Sequence, residues 1–181
     1  MPVRPIFNPD YLYFVTTTAA NHLHLFGADS TKRIILDSLH FLRTSGRMHL
    51  YAFVVMPNHV HFIARFRLAY TLPQAMRDFK RHTARQIILQ FKAQRSQLLV
   101  AVRRANHVAD QNFKVWHDGY DAREVFSPEF LEQKLNYLHH NPCQEHWNLA
   151  ALPEDYPWSS ARYYLSDEPS IIPVDDVREE F

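Results

Sequence analysis

The sequence predicts an α+β fold: an antiparallel sheet with two helices on one face, followed by a further helix that must pack elsewhere. Two observations carry this reading. Runs rich in β-branched and aromatic residues alternate with stretches of helical spacing in the order β α β β α β α. The first six of these elements give the split βαβ arrangement, and the seventh, a helix bearing a tyrosine, is left over. At 181 residues the chain has the length of one domain with a sizeable core. We take residues 1–166 as that domain and 167–181 as an acidic tail.

Tyr11 to Thr18 reads as the first strand. A loop through His22, His24 and Gly27 leads to Asp29 or Ser30, either of which can cap a helix running to about Thr44. Ile34, Ile35, Leu39 and Leu42 recur there at helical spacing, and Gly46 lies just past the end. Met48 to Met56 is apolar on both faces, as in a central strand. Pro57-Asn58 makes a tight turn into a third strand, His59 to Phe66. Leu72 to Phe91 is the second long helix, with Pro73 in its first turn. Leu72, Met76, Phe79, Thr83 and Ile87 share the face that should meet the sheet.

Lys92 to Asn112 admits three readings: a helix extension, a short element or a mobile segment. Phe113–Trp116 and Arg123–Phe126 read as short strands flanking a turn at Gly119. Ser127-Pro128-Glu129 is a strong helix start, with a cap, a first-turn proline and an acid near the positive helix end. That helix runs to about Asn141 and is stopped by Pro142.

Composition narrows the functional classes. A hydrophobic fraction of 46% fits a folded protein, and no apolar run approaches the roughly 20 residues of a membrane span. The opening Met-Pro-Val-Arg-Pro-Ile-Phe lacks the apolar segment of a signal peptide, so a cytoplasmic location is expected. Cys143 is the only cysteine, which excludes a disulfide framework and a cysteine-based zinc site. The net charge of +1 conceals an asymmetry. Arg67 to Arg104 carries nine basic residues against Asp78 alone, whereas Asp167 onward is acidic and is expected to be loosely held. A basic middle points to a polyanion partner. Arg77, Arg81 and Arg85, spaced by four, with Lys80 on the same helix and Lys92 just past its end, are the candidate phosphate contacts. A solvated basic face explains the same spacing.

Two motifs carry chemistry. In Met56-Pro57-Asn58-His59-Val60-His61, strand alternation points His59 and His61 the same way, about 6–7 Å apart along the strand. Two imidazoles at that separation can lean onto one metal; a half-exposed strand without a ligand is the plainer reading of the pair alone. His22-Leu23-His24 is a second His-x-His, but it lies outside a clear strand and is read as a decoy. On the third helix, Leu131, Leu135 and Leu138 form the buried stripe. Phe130, Lys134, Tyr137 and Asn141 form a separate flank at spacings of four, three and four. An ordinary core-edge tyrosine is the plain reading of Tyr137 alone.

Taken together, Met56–His61, Asn136-Tyr137-Leu138-His139-His140-Asn141-Pro142 and Tyr156-Pro157-Trp158-Ser159-Ser160 resemble the IS200-like single-tyrosine transposases of the HUH class. The resemblance is closest to the REP-associated tyrosine transposases and covers about Tyr11 to Leu165. It implies a ferredoxin-like core and a divalent metal, Mg²⁺ or Mn²⁺, held by His59, His61 and Asn141. It also implies a single-stranded DNA partner folded as a hairpin. Tyr137 would attack a phosphodiester and stay joined to the 5′ phosphate. Lys134 is our own addition to the catalytic set, since its charge would favour the phenolate of a group whose ordinary pKa is near 10. Trp116 or Tyr120 is the candidate for stacking on an unpaired base. Two rival readings remain: a DNA-binding protein that keeps the fold without cutting, and a metal-dependent phosphohydrolase. Whether the protein acts as a monomer or a homodimer is left open.

Overall fold

The computed structural model describes residues 7–103 and 113–180. Four strands form one sheet: β1 (Leu12–Thr18), β2 (Met48–Val55), β3 (His59–Phe66) and β4 (Asp121–Val125). Their order is β2-β3-β1-β4, and each neighbouring pair is antiparallel. The helices are α1 (Asp29–Thr44), α2 (Leu72–Ala93), a short α3 (Leu98–Ala101), α4 (Pro128–His140) and α5 (Ala161–Ser166). This is the split βαβ arrangement with an added helix, as the element order predicts.

Strand alternation divides the sheet into two unlike faces. Val60 and Phe62 on β3 point toward α1 and α2, where Phe62 meets Phe79 with ring centroids 6.4 Å apart. The predicted α2 stripe is buried, from Leu72 through Met76, Phe79, Thr83 and Ile87. The opposite face of β3 presents His59, His61, Ile63 and Arg65. Opposite them in register, β1 places Thr18, Thr16, Phe14 and Leu12. Helix α4 lies over this second face, near β2. Its Leu131 and Leu138 are buried and Leu135 is partly so, which seats the predicted stripe.

Strand β2 lies at the edge of the sheet, not in its centre as two apolar faces suggested; its outer side is not bare, because the C-terminal third of the chain covers it. Val55 donates its backbone N–H to Trp158 O (2.9 Å), and Ser160 N donates to Phe53 O (2.9 Å). The Tyr156 hydroxyl reaches Val55 O at 2.8 Å. Tyr156–Ser160 thus satisfies edge groups that would otherwise invite another strand. Further along, Asp175 N donates to Leu50 O (2.7 Å), and the Asp175 carboxylate accepts from Leu50 N (2.9 Å). The same carboxylate takes a two-pronged bond from Arg43 at 3.1 and 2.8 Å. Glu180 accepts from the Tyr51 hydroxyl and pairs with Arg65. Ile172 and Val177 are buried.

The acidic end is therefore not loosely held, as its charge suggested. Asp175 and Glu180 meet basic and hydroxyl partners from distant parts of the chain, and Ile172 and Val177 are buried in the core.

Four smaller expectations are corrected. Phe113–Trp116 is not a strand: Phe113 and Trp116 each make one isolated bridge, to Arg103 and Ala19. The strand near Arg123–Phe126 is Asp121–Val125, since Phe126 has already left the sheet. Ala28 rather than Asp29 or Ser30 stands at the N-cap of α1, and no side chain caps it. Beyond Lys92, α2 continues only to Ala93. Arg95 turns the chain with φ +50°, and α3 follows. The remainder of that segment, 104–112, lies outside the described residues.

Candidate active site

His59 and His61 lie at the start of β3 on the face covered by α4, with ring centroids 4.6 Å apart. The turn residue Asn58 orients the first, its Oδ1 2.6 Å from His59 Nδ1. Thr16, opposite His61 in the β1–β3 register, orients the second with Oγ1 2.8 Å from Nδ1. Phe14 stacks on the His61 ring at 5.3 Å. Burial lowers the pKa of both imidazoles, to about 4 for His59 and about 3 for His61. The nearby Asn141 amide opposes this at His59, while His59 and Lys134 reinforce it at His61. Both rings are neutral near pH 7. Asn58 Oδ1 accepts from His59 Nδ1–H, which leaves the His59 lone pair on Nε2, and His61 Nε2 carries a lone pair when the Thr16 hydroxyl accepts from His61 Nδ1–H.

Helix α4 brings the other half. Ser127 Oγ accepts from Phe130 N at 3.2 Å and fixes the helix start, as the cap predicted. The Tyr137 ring lies 5.4 Å from His61 and 6.1 Å from Phe14, and it is 45% exposed. The Lys134 ammonium sits 5.9 Å from the Tyr137 ring centroid, 5.2 Å from Phe14 and 4.9 Å from Phe130. Asn141, at the C-terminal end of α4, is buried. Two buried polar atoms here have no hydrogen-bond partner: His61 Nε2 and Asn141 Oδ1. An orphaned imidazole nitrogen and an orphaned amide oxygen, beside a second neutral imidazole, are a donor set that fits a divalent ion. Among the described residues, no three His, Cys, Asp or Glu side chains form such a group. The third donor in this set is an amide.

The Tyr156–Ser160 motif supports this helix from behind. Buried His139 meets Ser160 Oγ through Nε2 at 2.9 Å, and that oxygen also accepts from Phe53 N at 3.0 Å. Burial lowers the His139 pKa to about 4, so it too is neutral. The last turn of α4 is thus tied to β2 through one serine.

The basic residues expected to hold phosphate lie elsewhere. Arg77, Arg81 and Arg85 are exposed on α2, across the sheet from Tyr137. Arg77 and Arg81 share Asp78, at 3.3 and 3.2 Å. Arg85 joins Arg81, His82, Asp37 and Phe41 around a groove of about 690 Å³ between α1 and α2. Lys80 donates to the carbonyls of His117 (2.6 Å) and Gly119, anchoring the turn before β4. The Lys92 ammonium lies 5.3 Å from the Phe113 ring.

Trp116 is not available to a base. It is buried between Phe26 and Phe79 and donates Nε1–H to Thr83 Oγ1 at 3.0 Å. His22 and His24 meet the rings of His117 and Trp147 and do not join the His59–His61 pair as ligands would. Thr16, Phe14 and Trp147, whose ring is 5.7 Å from His59, are site residues that no motif announced. Only the β1–β3 register shows Thr16 and Phe14.

Comparison with known proteins bears on the family and the fold. A family model described as "Transposase IS200 like" matches residues 11–141. A solved structure described as a REP-associated tyrosine transposase bound to a REP hairpin shares the fold. Its TM-score is 0.66 at 15% identity, covering 98% of this chain and 93% of that one. A putative transposase from Deinococcus radiodurans R1 also aligns, with TM-score 0.49 and 16% identity over 77% of this chain and 96% of that one. No curated protein matches in sequence. With a family model spanning most of the chain, from β1 to the end of α4, this protein belongs to the IS200-like transposases.

Proposed function

We propose that this transposase cleaves and rejoins single-stranded DNA carrying a hairpin, through a covalent bond between Tyr137 and a 5′ phosphate. One observation carries the reading. The half-exposed Tyr137 stands beside His61, whose buried Nε2 lacks a partner, at a site that also holds the orphaned Asn141 oxygen. The REP hairpin bound by the structurally similar transposase supports hairpin DNA as the partner. DNA as the substrate is in keeping with work in the cytoplasm. No helix among the described residues is long and apolar enough to cross a membrane.

In the reaction, the Tyr137 oxygen bonds to phosphorus as the bond from phosphorus to the 3′ oxygen breaks. The phenolic proton is lost to water, and the departing 3′ oxygen takes up a proton to become a hydroxyl. The phosphotyrosine ester conserves the energy of the phosphodiester, so a 3′ hydroxyl can later displace the tyrosine without ATP. The Lys134 ammonium, close to the Tyr137 ring, offsets the negative charge that builds on the reacting oxygens. Asn58 and Thr16 orient the imidazoles through Nδ1, and accepting from Nδ1–H they would leave each Nε2 open. His59, His61 and Asn141 would hold a divalent metal, Mg²⁺ or Mn²⁺. When bound, it would polarise the scissile phosphate. Imidazole suits Mn²⁺ better than Mg²⁺, and the chain's own donors are two imidazoles and one amide.

Replacing Tyr137 by Phe tests the reading. It removes one hydroxyl and almost no volume, so fold and hairpin affinity should be unchanged while the covalent adduct disappears from a denaturing gel. Peptide mapping of the wild-type adduct should place the nucleotide on Tyr137. A nucleotide found on another tyrosine, or an adduct formed by Tyr137→Phe, overturns the assignment.

A further inference from the structure

Phe126 is 75% exposed, the most exposed aromatic side chain among the described residues, and it stands where the chain passes from β4 into α4. It contributes little to the core. Its ring lies almost parallel to Phe130, centroids 5.2 Å apart with 13° between the planes, and its exposure leaves a flat apolar face open to solvent. Phe130 has the Lys134 ammonium 4.9 Å from its centroid, and Lys134 in turn reaches Tyr137. Phe126, Phe130, Lys134 and Tyr137 therefore form a continuous line along one flank of α4. From Phe130 to Tyr137 the helix rises about 10 Å. That is the length of about three stacked nucleotides at about 3.4 Å each.

The charge within this line selects the occupant. Lys134 makes no ion pair among the described residues, and its ammonium rests on three rings instead. Burying such a charge at the centre of a protein interface is disfavoured, and interface cores are depleted of charged residues. Single-stranded nucleic acid alternates flat bases with phosphates and matches an aromatic face followed by a cation. Arg123, on the neighbouring β4 opposite Phe14, adds a second exposed cation on the same side, offset in part by its partner Asp121 at 3.2 Å.

We propose that the Phe126–Phe130 pair is a stacking platform for an unpaired base flanking the cleaved bond, with Lys134 holding a phosphate between that base and Tyr137. This rests on the reading that the site takes single-stranded DNA. Of the two aromatics the sequence offered for this role, Trp116 is buried and Tyr120 is 36% exposed, well below Phe126.

The test compares two probes, a hairpin with short unpaired extensions and the same hairpin with blunt ends. Phe126→Ala should weaken binding of the extended hairpin by roughly 5- to 150-fold, the range for losing one base–aromatic stack. Blunt-hairpin binding should be unchanged, and Phe126→Trp should restore the extended-probe affinity. A 2-aminopurine in the extension should be quenched by wild type and not by Phe126→Ala. Equal affinity of wild type and Phe126→Ala for the extended probe overturns the platform. So does conversion of a dimer to a monomer by Phe126→Ala with DNA binding intact, which makes the pair an interface between copies. If the wild-type chain binds neither probe, the functional reading itself fails. If it binds and forms the adduct while Phe126→Ala behaves as wild type, the platform alone fails.

Discussion

Two polar clusters lie on the same face of β3, four residues apart, and they are built on opposite plans. Around Arg65 the groups are matched: Glu180 meets both Arg65 and the Tyr51 hydroxyl, and nearby Asp175 binds Arg43 and the backbone of Leu50. Around His61 they are not: His61 Nε2 and Asn141 Oδ1 are buried without partners. An unsatisfied buried polar group costs on the order of 1–3 kcal/mol. On the proposed reading, a bound metal would complete both. The first cluster fastens the C-terminal segment to the sheet edge, whereas the second leaves two polar atoms unpaired, which the proposed function assigns to a ligand. Stability and chemistry are thus divided along one strand, and each can be disturbed without the other.

The largest expected effect is at the unsatisfied cluster. His61→Ala should lower adduct formation by about 100-fold or more, on the scale of other electrostatic contributions to catalysis. Its stability without metal should change by only about 1 kcal/mol, because lost ring packing is offset by removal of an unpaired nitrogen. Mn²⁺ should raise the melting temperature of wild type and not of His61→Ala, a readout independent of activity. A His61→Ala protein that keeps both the thermal shift and the adduct would show that the orphaned atoms serve no ligand.

The matched cluster should respond in the opposite way. Asp175→Ala leaves Arg43 and the Leu50 N–H without their shared acceptor, so unfolding in urea should be easier by about 1–3 kcal/mol. Hairpin binding and adduct yield at low temperature should not change. Removing the chain after Leu165 should cost more, since Ile172 and Val177 are buried with it. A truncated protein of full stability that binds DNA more tightly would restore the picture of a loose acidic competitor.

The smallest effect is expected on the α2 side of the sheet. Replacing Arg77, Arg81 and Arg85 together by Ala should leave the chemistry of bound substrate intact, because the sheet separates them from Tyr137. Two of the three already share Asp78, so the salt slope of single-strand binding should fall by less than the roughly 2 expected for three free phosphate contacts. A full drop with loss of adduct would mean that the DNA path wraps the sheet and reaches both faces.

Local signals made the element order legible, and also the tyrosine flank. Strand alternation and the turn at Pro57-Asn58 put both histidines on one face. Helical spacing brought Lys134, Tyr137 and Asn141 to one side of α4, and the cap at Ser127 was visible as a three-residue pattern. What stayed hidden depends on partners far away in sequence. Thr16 orients His61 only because β1 pairs with β3 in one particular register. Trp116 looked like a candidate base-stacking ring and is held in the core by Thr83. The charge run after Asp167 reads as a solvated tail until Arg43, Tyr51 and Arg65 are brought beside it. The spacing of Arg77, Arg81 and Arg85 correctly marks an exposed stripe but carries no information about which side of the sheet it occupies.

The cover over β2 has a consequence for how the protein is made. Strand β2 ends at Val55, yet the groups that seal its outer edge arrive with Trp158, Ser160 and Asp175. A ribosome must add roughly 120 further residues before the last of them emerges, on the order of ten seconds at about 5–20 residues per second. During that interval a long apolar strand has a bare side, open to chaperones and to neighbouring nascent chains. Slower decoding after the β3 codons should therefore lower the soluble yield of this protein, and coexpressed holdases should recover it.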